Sequence, residues 1–176
     1  KFEDARKIAA EFNKPDIPAD RVAEAEASIN QIRAALEAGK ALTEQDKDYK
    51  YYAGEVLKRA DELAAKLAAR KIAIAATDGR AALTEAMTAA KAALTTAKVP
   101  EVTDADLAAA AKSLGAITKE LDARTALEPK SAGYAMQATK TREALVGMNE
   151  ALEFAKRVRD LSKQTVETLA AGIAAA

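Results

Sequence analysis

The sequence predicts an all-α fold, on three observations that agree. Apolar residues recur at steps of three and four, the spacing that lines one face of a helix, as in Val22, Ala25, Ile29, Ile32 and Leu36 and again in Leu107, Ala110, Leu114, Ile117 and Leu121. Alanine and aliphatic residues carry nearly all of the 49% hydrophobic content, since aromatics make up 4% and tryptophan is absent. That composition suits closely spaced helices better than a β-sandwich, and alanine is the best helix former because it loses no side-chain entropy on ordering. The four prolines fall between the periodic segments and never inside one, where each would remove a helical hydrogen bond.

Lys1 to about Phe12 reads as a first helix, closed by the loop Asn13-Lys14-Pro15-Asp16-Ile17-Pro18. Ala19 or Asp20 opens a second segment that runs to about Gly39, with Asp20 offering a carboxylate to the free N–H groups of the first turn. Thr43 followed three residues later by Asp46 is a looser version of the same signal and opens a third segment, from about Glu44 to Ala76. Thr77-Asp78-Gly79-Arg80 is an ambiguous joint. Glycine costs a helix only about 1 kcal/mol relative to alanine, so the helix either ends there on a left-handed Gly79 or runs on. If it runs on, Glu44 to Ala97 would form one helix roughly 80 Å long at about 1.5 Å per residue. After the turn at Pro100, Thr103 or Asp104 opens a segment to about Leu127; after the turn at Pro129, a last helix extends from Ser131 to about Ile173.

The two apolar stripes lie 85 positions apart, residue for residue. Sliding residues 15 to 53 onto 100 to 138 at that offset, without a gap, gives 11 identities in 39 positions. Five are alanine pairs, which an alanine-rich chain produces by chance, but Pro15/Pro100, Leu36/Leu121, Leu42/Leu127 and Tyr49/Tyr134 are not of that kind. The reading is an elongated helical bundle of two tandem three-helix units, the first over residues 1–78 with a short or truncated first helix and the second over 79–176, unless the two merge into one continuous bundle. This layout resembles the spectrin-type tandem repeat, in which three-helix units share a continuous helix, although it lacks the tryptophan and the longer repeat usual in that family. The alanine-rich texture is also similar to helical repeat proteins of the bacterial envelope, lipoproteins among them. Neither resemblance rests on signature residues, so neither implies particular functional positions.

Several function classes are excluded by composition. There is no histidine and no cysteine, which removes Ser-His-Asp and Cys-His nucleophile systems, HExxH zinc sites, Glu-x-x-His di-iron bundles, disulfides and iron–sulfur clusters. With 27 basic and 27 acidic residues the formal net charge is zero, so no long-range field gathers nucleic acid or an anionic membrane. No apolar run reaches the roughly 20 residues that span a bilayer, which predicts a soluble chain. The seven glycines are scattered singly, without a phosphate-binding pattern. Thr43-Glu44-Gln45-Asp46-Lys47-Asp48 lacks the glycine and closing glutamate of a calcium loop. Glu24, Glu26 and Glu37 read as solvated helix faces. The sequence thus predicts no enzyme, no cofactor and no metal site.

Two local features remain. Tyr49, Tyr51 and Tyr52 are three of the four tyrosines and sit beside Lys47 and Lys50 near the start of the third segment. Either Tyr49 and Tyr52 cover the end of the bundle, the favoured reading, or Tyr49, Lys50, Tyr51 and Tyr52, with Tyr134 as the second-copy counterpart, form a recognition surface. Lys156, Arg157, Arg159 and Lys163 make a basic run expected to be the solvated face opposite Leu152, Phe154, Val158 and Leu161. The weakly polar end, Leu169 to Ala176, is a candidate oligomer surface. The function expected is a structural or protein-interaction module, partnering another protein or itself, with an extracytoplasmic location favoured because the chain begins at Lys1 as a mature exported form would. The alternative is a helical sensor or carrier that holds a small ligand between helices, in a cavity near Tyr49 and Tyr52 lined by Val56.

Overall fold

A computed structural model describes residues 19–97 and 102–174. The expected first helix, the Pro15 and Pro18 loop and the turn at Pro100 lie outside the described residues. Within them the chain is all-α: α1 (Val22–Ala38), α2 (Lys47–Thr96), α3 (Asp104–Ala123) and α4 (Ala132–Ala174), with short 3-10 turns at Ala19–Arg21, Lys40–Glu44 and Thr125–Lys130.

The helix ends show which local signals decide. Asp20 falls inside the first 3-10 turn, one residue too early to cap, so Arg21 stands at the N-cap without a side-chain cap bond. The first turn is instead held by the Arg21 guanidinium forked onto Glu24 at 2.8 and 2.7 Å. The third segment begins at Lys47 rather than Glu44, because Lys40–Glu44 is taken up by a 3-10 turn in which Thr43 Oγ1 donates to the Lys40 carbonyl. Asp46 supplies the cap, its Oδ1 accepting the N–H groups of Asp48 at 2.9 Å and Tyr49 at 3.1 Å. At α3 the expected start is found: Thr103 and Asp106 form a reciprocal capping box. α3 stops at Ala123, short of Leu127, where Thr125 Oγ1 donates to the Leu121 carbonyl and the chain tightens into the 3-10 turn that contains Pro129.

At Gly79 the helix runs on, and the reason lies outside the joint itself. Gly79 is buried, and a Cβ built there would stand 2.8 Å from Cε2 of Tyr134 and 2.9 Å from Cδ of Arg124. The glycine is present because a fully buried aromatic ring needs the space, without any left-handed backbone. Gly39 has a similar role at the end of α1. Its φ is −89°, so no special conformation is required, and the hydroxyl end of Tyr49 occupies the place of its missing side chain.

The chain divides into two compact units after Ala75. In the first, α1 runs antiparallel to the early part of α2: Glu26 meets Lys71 at 2.6 Å, Arg33 meets Asp61 at 2.8 Å, and Tyr49 reaches back to Gly39. Ala25, Ile29, Leu63 and Leu67 form its core cluster, with Val22 and Ala64 against it. Both ion pairs are exposed, so they set register and contribute at most about 1 kcal/mol each.

In the second unit, α2 from Ala76 onward, α3 and α4 enclose a core that includes Leu83, Leu94, Leu107, Leu114, Ile117, Leu121, Tyr134, Met148 and Leu152. All five apolar positions read from the α3 stripe are buried. Alanines at 76, 90, 97, 110, 138 and 155 fill the seams between them, and their small side chains let the helices approach closely.

Glycine substitutions separate ordinary helix propensity from this packing. Gly54→Ala and Gly115→Ala, with nothing within 4 Å of the new methyl, are expected to stabilise by up to about 1 kcal/mol. Gly79→Ala is expected to lose about 1 to 3 kcal/mol by overpacking against Tyr134 despite the same propensity gain. Chemical denaturation of the three variants checks this, and a stabilised Gly79→Ala would refute the account of the joint.

Candidate functional site

The tyrosine cluster opens α2, directly after the Asp46 cap. At 3.6 residues per turn, Tyr49 and Tyr52 do not share a role, despite their spacing. Tyr49 is half-buried over Gly39, whereas Tyr51 and Tyr52 are 67% and 64% exposed and lie against each other, ring centroids 5.6 Å apart at 75°. Tyr49 packs over the end of α1, whereas Tyr52, expected to cover the same end, faces solvent. Lys50 and Lys47 are also exposed. The first unit therefore presents an edge-to-face aromatic pair beside two lysines, with Asp48 and Glu55 among its neighbours on the same helix.

Tyr134 belongs to the other unit and offers no face to a partner. It is fully buried among α2, α3 and α4, and burial pushes its hydroxyl above the ordinary value of 10.0. Its Oη and the Oγ1 of Thr141, one further buried hydroxyl on α4, find no hydrogen-bond partner among the described residues. The sequence marks Tyr134 as a counterpart of Tyr49, and nothing local in it announces burial; only the distant Gly79 does.

The last helix differs most from expectation. Leu152 is buried, but Phe154 is 68%, Val158 42% and Leu161 62% exposed. Leu152 and Phe154 are two residues apart and so point to opposite sides of the helix. The basic run is solvated at Arg157 but otherwise tied up in ion pairs. Lys163 Nζ donates to both oxygens of Asp104, at 2.9 and 2.8 Å, Arg159 Nε stands 3.6 Å from the same carboxylate, and Lys156 pairs with Glu153. Lys163 and Arg159 thus bind α4 to the first turn of α3, where Asp104 also lies in the favourable field of the helix N-terminus. An open groove along α4 lies on its outward side, lined by Val146, Asn149, Glu150, Glu153, Phe154 and Arg157. All six belong to a single helix, so the groove encloses nothing by itself.

Chemistry-bearing constellations follow the same pattern. Among the described residues no group of three or more acidic, histidine or cysteine side chains converges as a metal site. The carboxyls that titrate away from their ordinary values do so through local partners: Lys163, with a smaller contribution from Arg159, holds Asp104 down, Arg21 holds Glu24 down, Arg142 holds Glu128 down, and the Thr103 hydroxyl and N–H hold Asp106 down. None is raised toward neutrality, as a general acid would require. No helix among the described residues is long and apolar enough to cross a membrane.

Comparison of the chain with protein-family models, with curated proteins and with solved structures gives no match.

The lowered carboxyls make stability depend on pH in the acid range. A group whose pKa is depressed on folding stabilises the folded form fully above its unfolded value, and that contribution is lost as pH falls through the folded value. For Asp104 the loss falls below its ordinary 3.8. Thermal melting followed from about pH 7 to about pH 2 should therefore show Asp104→Asn less stable than the parent at neutral pH, with the two curves converging at the acid end. A constant gap across that range would contradict the role of the Lys163 pair.

Proposed function

We propose that this protein is a non-enzymatic structural or protein-interaction module made of two tandem copies of one three-helix unit. The observation that carries the reading is a single offset of 85 residues at which independent features coincide. α1 ends at Ala38 and α3 at Ala123; the following 3-10 turns begin at Lys40 and Thr125; α2 begins at Lys47 and α4 at Ala132. Buried positions coincide at the same offset, as in Ala25/Ala110, Ile29/Leu114, Ile32/Ile117, Ala53/Ala138, Leu63/Met148 and Leu67/Leu152. Tyr49 and Tyr134 share the offset as well, although the glycines they rest on, Gly39 and Gly79, do not.

A chain that repeats a packing unit, with Asp46 and Asp106 engaged in helix caps and Asp104 and Asp61 in inter-helix pairs, has the economy of a scaffold. The exposed Tyr51–Tyr52 pair, placed on one copy only, gives that scaffold a rigid, amphipathic contact point. An extracytoplasmic location belongs to the same reading and is supported by the similarity in texture to helical proteins of the bacterial envelope.

The carrier alternative needs an enclosed space beside Tyr49 and Tyr52. A thermal-shift screen of small metabolites tests it. The module reading expects no compound to move the melting temperature, whereas a specific ligand at about 100 times its Kd would add roughly 2.7 kcal/mol and overturn it.

The repeat itself is tested by register. Thr141 stands where the first unit has Val56, and its buried hydroxyl lacks a partner among the described residues. Thr141→Val is expected to stabilise by about 1 kcal/mol, since it removes an unsatisfied buried polar group and keeps the shape of the side chain. A destabilised variant in denaturant unfolding would count against exchanging residues at this offset.

A further inference from the structure

We propose that the outward face of α4 is a self-association surface that takes a second copy of this chain, with the two α4 helices antiparallel about a two-fold axis between residues 153 and 154. The proposal deepens the interaction-module reading, on which it rests, by naming a partner.

Val146, Glu150, Phe154, Arg157 and Leu161 follow one another at steps of four, four, three and four, which places all five on one face of the helix. That face is turned away from the core, because Met148, Leu152 and Ala155 on the opposite side are buried in the second unit. Val146, Phe154 and Leu161 are 61%, 68% and 62% exposed, so one outward face of the helix presents three large apolar side chains to water, with Glu150 and Arg157 between them.

The order of the residues selects the occupant. Read from either end, the face runs apolar, charged, aromatic, oppositely charged, apolar. Turning a second copy end for end about the centre brings Val146 opposite Leu161 of the other copy and Glu150 opposite Arg157, and the two-fold makes each contact twice. Neither Glu150 nor Arg157 makes an ion pair among the described residues, in contrast to Asp104, Glu120, Glu128 and Glu153. Both charges are thus available for a reciprocal pair. Parallel pairing would place Glu150 on Glu150 and Arg157 on Arg157, which like-charge repulsion disfavours. Glu153, beside the axis, already carries the counter-charge of Lys156 at 2.7 Å, so the axis does not bring two bare carboxylates together. Phe154 from each copy packs next to it.

A contact of about four helical turns lies at the small end of stable interfaces, which implies a reversible dimer populated at chain concentrations on the order of tens of micromolar. Sedimentation equilibrium of the whole chain should show the mass rise from the 18.5 kDa monomer toward twice that value. Arg157→Glu should weaken the dimer roughly tenfold or more by setting Glu against Glu, and combining it with Glu150→Arg should restore it. Circular dichroism should be unchanged in all of them, since both residues are exposed.

Orientation is read separately, because the chain has no cysteine of its own. Phe154→Cys should cross-link to itself, while Val146→Cys should cross-link to Leu161→Cys and not to itself. A mass that stays monomeric to about 500 µM, a double variant no better than the single, or self-cross-linking of Val146→Cys would each overturn the proposal. A monomeric chain would leave the module reading standing. A ligand-induced melting shift would remove that reading and leave the dimer measurement unaffected.

Discussion

In the second unit, the ring of Tyr134 is packed where α2 carries only a hydrogen atom. Alanine-rich helices have shallow surfaces, so a core built from them holds together only if the helices come close, and one buried aromatic among such seams demands a gap elsewhere. Gly79 supplies that gap and Arg124, at the end of α3, lies beside it. Three helices are tied to a single contact: α2 through the glycine, α3 through its C-cap residue and α4 through the first turn that carries the ring. The position of the ring explains why α2 continues through a residue that ends helices elsewhere.

The first unit shows the same device with less at stake. Tyr49 also rests on a glycine, but it is half-buried, and the atom that meets the glycine is the hydroxyl at the tip of the side chain rather than the body of the ring. A tip can swing toward water; a ring carbon in a closed core cannot. The two tyrosines therefore differ in consequence although they match in register. The described core cluster of the first unit is built on Ala25, Ile29, Leu63 and Leu67, while Tyr51 and Tyr52 project into solvent.

How much was legible in the sequence follows from whether a signal is local. The α3 stripe and its Thr103 cap need only neighbours within a turn or two, and both are found as read. Ala25, Ile29 and Ile32 are buried for the same reason. The joint at Gly79 was open in the sequence because its decisive partner is 55 residues away. Asp20 failed as a cap because a 3-10 turn displaced the helix start by a residue, a shift that periodicity does not register. In the candidate site, the split between Tyr49 and Tyr52 depended on where Gly39 falls after α1 ends.

The misreading of α4 is the most informative of these differences. Grouping Leu152 with Phe154, Val158 and Leu161 treated every apolar residue of the segment as belonging to one stripe, yet steps of two and four cannot all lie on one side of a helix. The helix has two apolar faces. One is occupied by α3 and the late part of α2, and its far edge is closed by Arg159 and Lys163 on Asp104. The other is left with unpaired charges of opposite sign at equal distances from its centre. A helix that needed only to complete its own core would gain nothing from Phe154 or Leu161 in water, so the second stripe reads as a surface arranged for contact, and the symmetry of its charges points to another copy of itself.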